Sequence, residues 1–211
     1  MDEILQLATI GPELDFLRLE GLFGEAANLR DKVSRLMKAG TLVGVVRGIY
    51  VTAPQLQKRT ASREILANMI FGPSYISFES VLSAVGLIPE ATVAITSATL
   101  KRNRQYDTSL GRFVYVHLPL EVFRFGYGRE SLPDGAGYLI AQPEKALLDT
   151  LYIRGALRSL RSLEERLFED LRIDEGAFAD LDHTRLLSYA ARMPGDTIRI
   201  LLPKLMEKMH G

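Results

Sequence analysis

Three groups of side chains in this 211-residue chain have the types and spacing to do chemistry. The first lies between Leu29 and Lys38. At about 100° per residue, Asp31, Ser34, Arg35 and Lys38 share one polar helical face, with Arg30 at its edge. Leu29, Val33, Leu36 and Met37 form the opposite, apolar stripe. Arg and Ser donate to base edges or phosphates, and Lys38 sits where backbone contacts are common. Asp31 is awkward beside phosphate, although a carboxylate can accept from cytosine. Arg47, in the dipeptide Arg47-Gly48, is a further cation placed to reach a minor groove or a phosphate. The same pattern also describes a plain solvated helix face, and periodicity alone leaves both readings open.

The second group is Lys101, Arg102, Arg104 and Arg112, with Asp107 as the one acid between Leu100 and Arg112. A local excess of this kind attracts phosphate, RNA or an acidic partner even in a balanced chain. A solvated hairpin loop explains it equally well. Tyr106 stands beside it and is suited to stack on a base, although a lone tyrosine more often packs. The third group is Glu144, Lys145 and Asp149. A metal nuclease needs carboxylates and a lysine that converge, whereas adjacent Glu144 and Lys145 diverge by about 100° on a helix. Glu144 suits a helix first turn, and Lys145 with Asp149 reads as a surface i,i+4 pair. His117, His183 and His210 are scattered, with no second ligand at metal spacing. No Gly-rich phosphate loop and no serine elbow are present. No catalytic residue, metal ligand or cofactor is therefore assigned, and the chain reads as a non-enzyme.

The elements that must position these groups follow from period and punctuation. Asp2 to Thr9 is helical in pattern, through Ile4, Leu5 and Ala8, and Gly11-Pro12 breaks it. A second helix is expected over Glu13 to Phe23. A third begins at Asn28, a plausible cap, and stops at Gly40. Thr41 to Val46 and Ile49 to Val51 read as a hairpin around Arg47-Gly48. Three short helices followed by a hairpin make the layout of a winged helix-turn-helix, over residues 1–54. Such a unit places its third helix in the major groove; it also occurs as a protein-interaction module.

Residues 55–211 read as a mixed α/β domain that ends in helices. Ala61 to Phe71 is helical, and Ser77 caps a second helix that closes at Gly86. Thr92 to Ala98 and Arg112 to Leu118 are β-rich, with a polar loop or hairpin end between them. Glu121 to Tyr127 has the composition of a further strand, and Tyr138 to Ala141 of another. Pro143 starts a helix to Ile153. Helices follow over about Leu157 to Leu171, Asp174 to Leu181, His183 to Met193 and Pro194 to His210, with Asp174 and Asp182 as caps. The overall class is α/β, or α+β.

Zero net charge, from 26 basic and 26 acidic residues, gives DNA binding no support of its own. The absence of cysteine excludes disulfides, thiol catalysis and Cys-ligated zinc. The N-terminus lacks the pattern of a secretory signal, and no apolar run spans a bilayer. A cytoplasmic protein with no membrane partner is expected.

Three stretches carry a family resemblance. They are SRLMKAGTLVGVVRGIYV (Ser34 to Val51), YISFESVLSAVGLIPE (Tyr75 to Glu90) and GYLIAQPEKALLDTLYIRG (Gly137 to Gly155). In this order they resemble the AbiEi-type antitoxins of type IV toxin–antitoxin systems, over much of residues 13–155. The resemblance implies a transcriptional autorepressor whose N-terminal domain binds inverted repeats in double-stranded promoter DNA. It implies a C-terminal domain that counters a nucleotidyltransferase toxin without forming a stable complex with it. Residues 1–60 carry 8 basic and 7 acidic groups, a balance of +1, so tight binding by a single copy is not expected. Two other classes remain: an enzyme acting on nucleic acid or modifying the toxin through the α/β domain, and an interaction scaffold with no DNA role.

Overall fold

The computed structural model describes residues 6–24 and 28–210. Ile4 and Leu5 of the first expected helix lie outside the described residues; Gln6 and Leu7 are helical. The chain is mixed α/β, with a three-stranded sheet near the N-terminus and a six-stranded mixed sheet beyond it.

The small sheet starts where a helix was expected. Glu13–Asp15 is strand β1, and helix α1 (Phe16–Phe23) begins only at Asp15, whose carboxylate accepts from the Arg18 N–H. Glu13 is drawn into strand geometry by tertiary partners: β1 pairs with β3 (Ile49–Thr52), and its carboxylate meets Arg59. Helix α2 (Leu29–Lys38) ends in a Schellman turn, with Thr41 N–H on the Leu36 carbonyl and Gly40 at φ 69°. Asn28 precedes α2 without a side-chain cap bond. β2 (Leu42–Val46) then returns as β3 around Arg47-Gly48, and the sheet order is β1-β3-β2. Leu7, Leu14, Leu19, Leu29, Val33, Leu36 and Leu42 form one small core. Met37 does not join it. It is 42% exposed and lies across Gly44 of β2.

The hairpin serves two cores. Leu42 and Tyr50 face the small one, whereas Ile49 and Val51 are buried in the large one. β2 also lies beside β6 (Arg104–Thr108), so one hairpin face is covered by the rest of the chain and its tip projects.

The large sheet has the order β6-β7-β5-β4-β9-β8, from β4 (Ser74–Ile76), β5 (Ile95–Thr99), β7 (Gly111–His117), β8 (Tyr127–Ser131) and β9 (Gly137–Ala141). β4·β9 and β5·β7 are parallel, and the other ladders antiparallel. Register puts Ile76, Ser97 and Tyr115 on one face and Tyr75, Ala98 and Val116 on the other. Helix α3 (Arg63–Ile70) covers the first, where the Tyr115 hydroxyl donates to the Ala67 carbonyl at 2.6 Å. α4 (Glu79–Ala84) and α6 (Pro143–Ile153) cover the second. The segment after Leu100, expected as a loop or hairpin end, is the β6 arm of an antiparallel hairpin with β7, and the expected strand over Glu121 to Tyr127 is the short helix α5 (Leu120–Phe123) followed by β8. Ser77 does not cap α4. Phe78 occupies the cap position in the left-handed region at φ 58°, and Ser77 turns inward. Helices α7 (Leu160–Glu164), α8 (Glu175–Ala179), α9 (His183–Ala190) and α10 (Thr197–His210) complete the chain, with Asp174 and Asp182 capping α8 and α9. They extend the core of the large sheet. No helix among the described residues is long and apolar enough to cross a membrane.

Gly126 makes a close approach to helix α6. At φ 75° it faces the Lys145 stem, and a Cβ there would stand 2.8 Å from Lys145 Cγ. Gly126→Ala is expected to destabilise by about 2 kcal/mol, from overpacking and left-handed strain together. A urea midpoint unchanged from the parent would contradict that contact.

Candidate functional site

Helix α2 displays its donors outward. Its stripe is anchored by Leu29, Val33 and Leu36, all under 8% exposed. That rotation leaves Arg30, Asp31, Ser34, Arg35 and Lys38 exposed along the outer side. Arg47 is exposed at the hairpin tip. Among the described residues, no ion pair engages Arg30, Arg35, Lys38 or Arg47. Lys32, on the flank, lies 4.5 Å above the Phe23 ring. The helix thus presents a row of exposed N–H donors that no carboxylate among the described residues engages.

The second basic group is thinner than its composition suggests. Arg112 is paired with Asp107 at 2.6 Å across the β6–β7 ladder. That guanidinium and the Gln105 amide hold the Asp107 carboxyl below its usual range. Lys101, Arg102 and Arg104 remain exposed. Lys101 rests 4.9 Å over Phe71, and Arg104 lies 5.4 Å from the Tyr106 ring centroid. Tyr106 is half-buried and packs against Phe71 and Tyr115. His117 is exposed and its Nδ1 lies 3.2 Å from the Lys101 carbonyl.

Lys145 and Asp149 are not on the surface. Both side chains are 0% exposed and form an ion pair inside the second face of the large sheet. Asp149 accepts from the Ser77 hydroxyl at 2.7 Å and from the Tyr75 hydroxyl at 3.0 Å. Lys145 also donates to the Tyr75 oxygen at 3.0 Å. Tyr75 stacks on Tyr127 with centroids 4.4 Å apart. Burial pushes the Lys145 ammonium down and the Asp149 carboxyl up, and their mutual attraction opposes both shifts. The Tyr75 hydroxyl is pushed up by burial and by the Asp149 charge. These groups share one enclosed cluster, walled by Phe125 and the Gly126 backbone, and each is spent on the others. Glu144 is also buried, where it accepts from the Asp182 N–H at 3.1 Å. Among the described residues no group of three or more His, Asp or Glu side chains could hold a metal ion.

A second ionic cluster joins the two sheets, and nothing in the local sequence marks it. Glu13, 1% exposed, takes both Arg59 terminal nitrogens, at 2.6 and 2.7 Å. Arg59 Nε bonds Asp134 in the β8–β9 turn at 2.6 Å. The Ser62 N–H closes on Glu13 at 2.5 Å. The Glu13 bonds hold the Arg59 guanidinium well above its usual range, and Arg59 holds the Asp134 carboxyl below its own.

The chain matches no known protein-family model, and no curated protein matches it.

Proposed function

We propose that this chain is a DNA-binding regulator, with residues 1–54 a winged helix-turn-helix and 55–211 an α/β domain with C-terminal helices. Its particular kind, on the ordered resemblance of the three stretches, is an AbiEi-type antitoxin. In that reading α2 enters the major groove of double-stranded promoter DNA and reads inverted repeats. Ser34, Arg35 and Lys38 meet base edges and phosphates, Arg30 meets the flanking backbone, and Arg47 at the hairpin tip reaches a phosphate or the minor groove. The protein represses its own operon in the cytoplasm. Its larger domain counters a nucleotidyltransferase toxin without a stable complex, and it needs no cofactor and performs no catalysis.

One observation carries this reading: a helix whose anchored stripe leaves a row of exposed donors, unengaged by carboxylates among the described residues, in a chain segment that also exposes an Arg at its hairpin tip. The covered hairpin face limits the wing's contribution to its tip. Fluorescence anisotropy on the DNA upstream of its own gene tests it. Affinity is expected to fall with salt, since each neutralised phosphate releases counterion. Arg35→Ala with Arg47→Ala is expected to weaken binding about tenfold or more. Affinity indifferent to both substitutions would reject the contact assignment, and absence of sequence-selective binding would reject the regulator.

A further inference from the structure

A cavity of about 570 Å³ opens where the N-terminal segment, the strap before α3 and the β8–β9 turn meet. Its size lies within the range of small-molecule sites. Ile10, Leu56 and Ala136 give it apolar walls, and Arg18, Lys58 and Arg59 give it three cations. Among the described residues Asp134 is the one acid on its lining. Lys58 is exposed and has no partner among the described residues. Arg59 spends its outer nitrogens on buried Glu13, and turns Nε toward Asp134, whose side chain is 42% exposed. The Asp134 carboxylate therefore occupies the cavity edge of a guanidinium, from an exposed turn in which its other oxygen accepts from the Ala136 N–H.

We propose that this cavity binds a small carboxylate with an apolar body, whose head takes the place of Asp134 on Arg59 beside Lys58, while its body lies on Ile10, Leu56 and Ala136. The exchange swaps one carboxylate for another on the same nitrogen, so the guanidinium stays paired throughout. The cationic surplus favours an anion, and the apolar walls favour a body over a bare ion. Because the cavity walls come from both the N-terminal segment and the large sheet, occupancy releases the ion pair between the strap and the β8–β9 turn. Ligand and DNA then influence each other's affinity reciprocally. That second consequence rests on the DNA-binding reading; the site itself does not.

Calorimetry on the full chain without DNA tests the site, with benzoate as probe and with benzylamine, benzamide and inorganic phosphate as controls. Benzoate is expected to bind saturably and the three controls markedly more weakly. Asp134→Asn removes the competitor and is expected to tighten benzoate binding about threefold, the worth of one exposed ion pair. Lys58→Glu is expected to weaken it by a similar factor or more. No saturable benzoate binding, equal binding by benzylamine or phosphate, or an Asp134→Asn protein that binds benzoate no better than the parent would each overturn the proposal. In a second arm, benzoate is expected to shift the anisotropy midpoint on upstream DNA. An unmoved midpoint with benzoate binding intact overturns the coupling. No DNA binding with or without benzoate, while benzoate itself still binds, overturns the regulator reading and leaves the site standing.

Discussion

Replacing Asp149 by alanine is expected to cost about 3–5 kcal/mol of stability, because it leaves the Lys145 ammonium inside the sheet-to-α6 core with no anion. Both side chains are fully buried, and the Tyr75 and Ser77 hydroxyls that now point at the carboxylate lose their acceptor as well. For a chain of this size the loss corresponds to a fall in Tm of roughly 10 °C. The magnitude separates two arrangements of the same pair: on a solvated helix face an i,i+4 Lys–Asp contact is worth only about 0.3–0.5 kcal/mol. The double change Lys145→Met with Asp149→Leu removes both charges and is expected to recover the part of the loss due to the stranded ammonium, while the Tyr75 and Ser77 hydroxyls still lack their acceptor. A urea titration in which Asp149→Ala moves stability by less than about 1 kcal/mol would contradict the buried pair.

Removing Arg59 is the second large effect, expected near 2–3 kcal/mol for Arg59→Ala. Glu13 is 1% exposed and, among the described residues, would keep only the Ser62 N–H on its carboxylate. The Arg59 side chain is 21% exposed, so water offsets part of the loss and the figure falls below that for Asp149. Glu13→Gln keeps the hydrogen-bonding shape without the charge and is expected to cost about half as much. The loss should register locally. Amide exchange is expected to quicken along β1 and its partner strand, where Glu13↔Val51 and Asp15↔Ile49 pair, more than along β5 and β7. Uniform quickening across both sheets would place the clasp's role elsewhere.

What the sequence made legible divides along a physical line. α2 was readable because one of its faces is anchored and the other solvated, so its apolar residues recur at helical spacing; the exception, Met37, is a large apolar side chain that lies across Gly44 in the open. α6 was readable as a helix and not as a site. Glu144 through Leu151 are all buried, so no polar face exists to betray which polar residues point inward. Lys145 and Asp149 look like a surface pair for that reason, and their partners Tyr75 and Ser77 lie about 70 residues upstream. β1 and β6 are edge strands rich in polar residues, defined by ladders to distant segments and not by their own composition. Arg59 shows the same limit, since its two carboxylates are 46 and 75 residues away. The outward row on α2 was the part of the candidate site that local pattern could supply. The clasp and the cavity beside it needed the folded chain.

The chain has no cysteine, so Ser34→Cys gives a unique attachment point at the middle of the α2 outer face. An iron chelate placed there, on the full chain bound to its upstream DNA, is the most direct measurement of whether that face lies in a groove. Strand cleavage is expected within a few base pairs of each inverted repeat, and none from the same chelate at Val85→Cys, which is 48% exposed beyond α4. DNA that is bound but left uncut from position 34, or cut equally from position 85, would contradict the groove-facing helix.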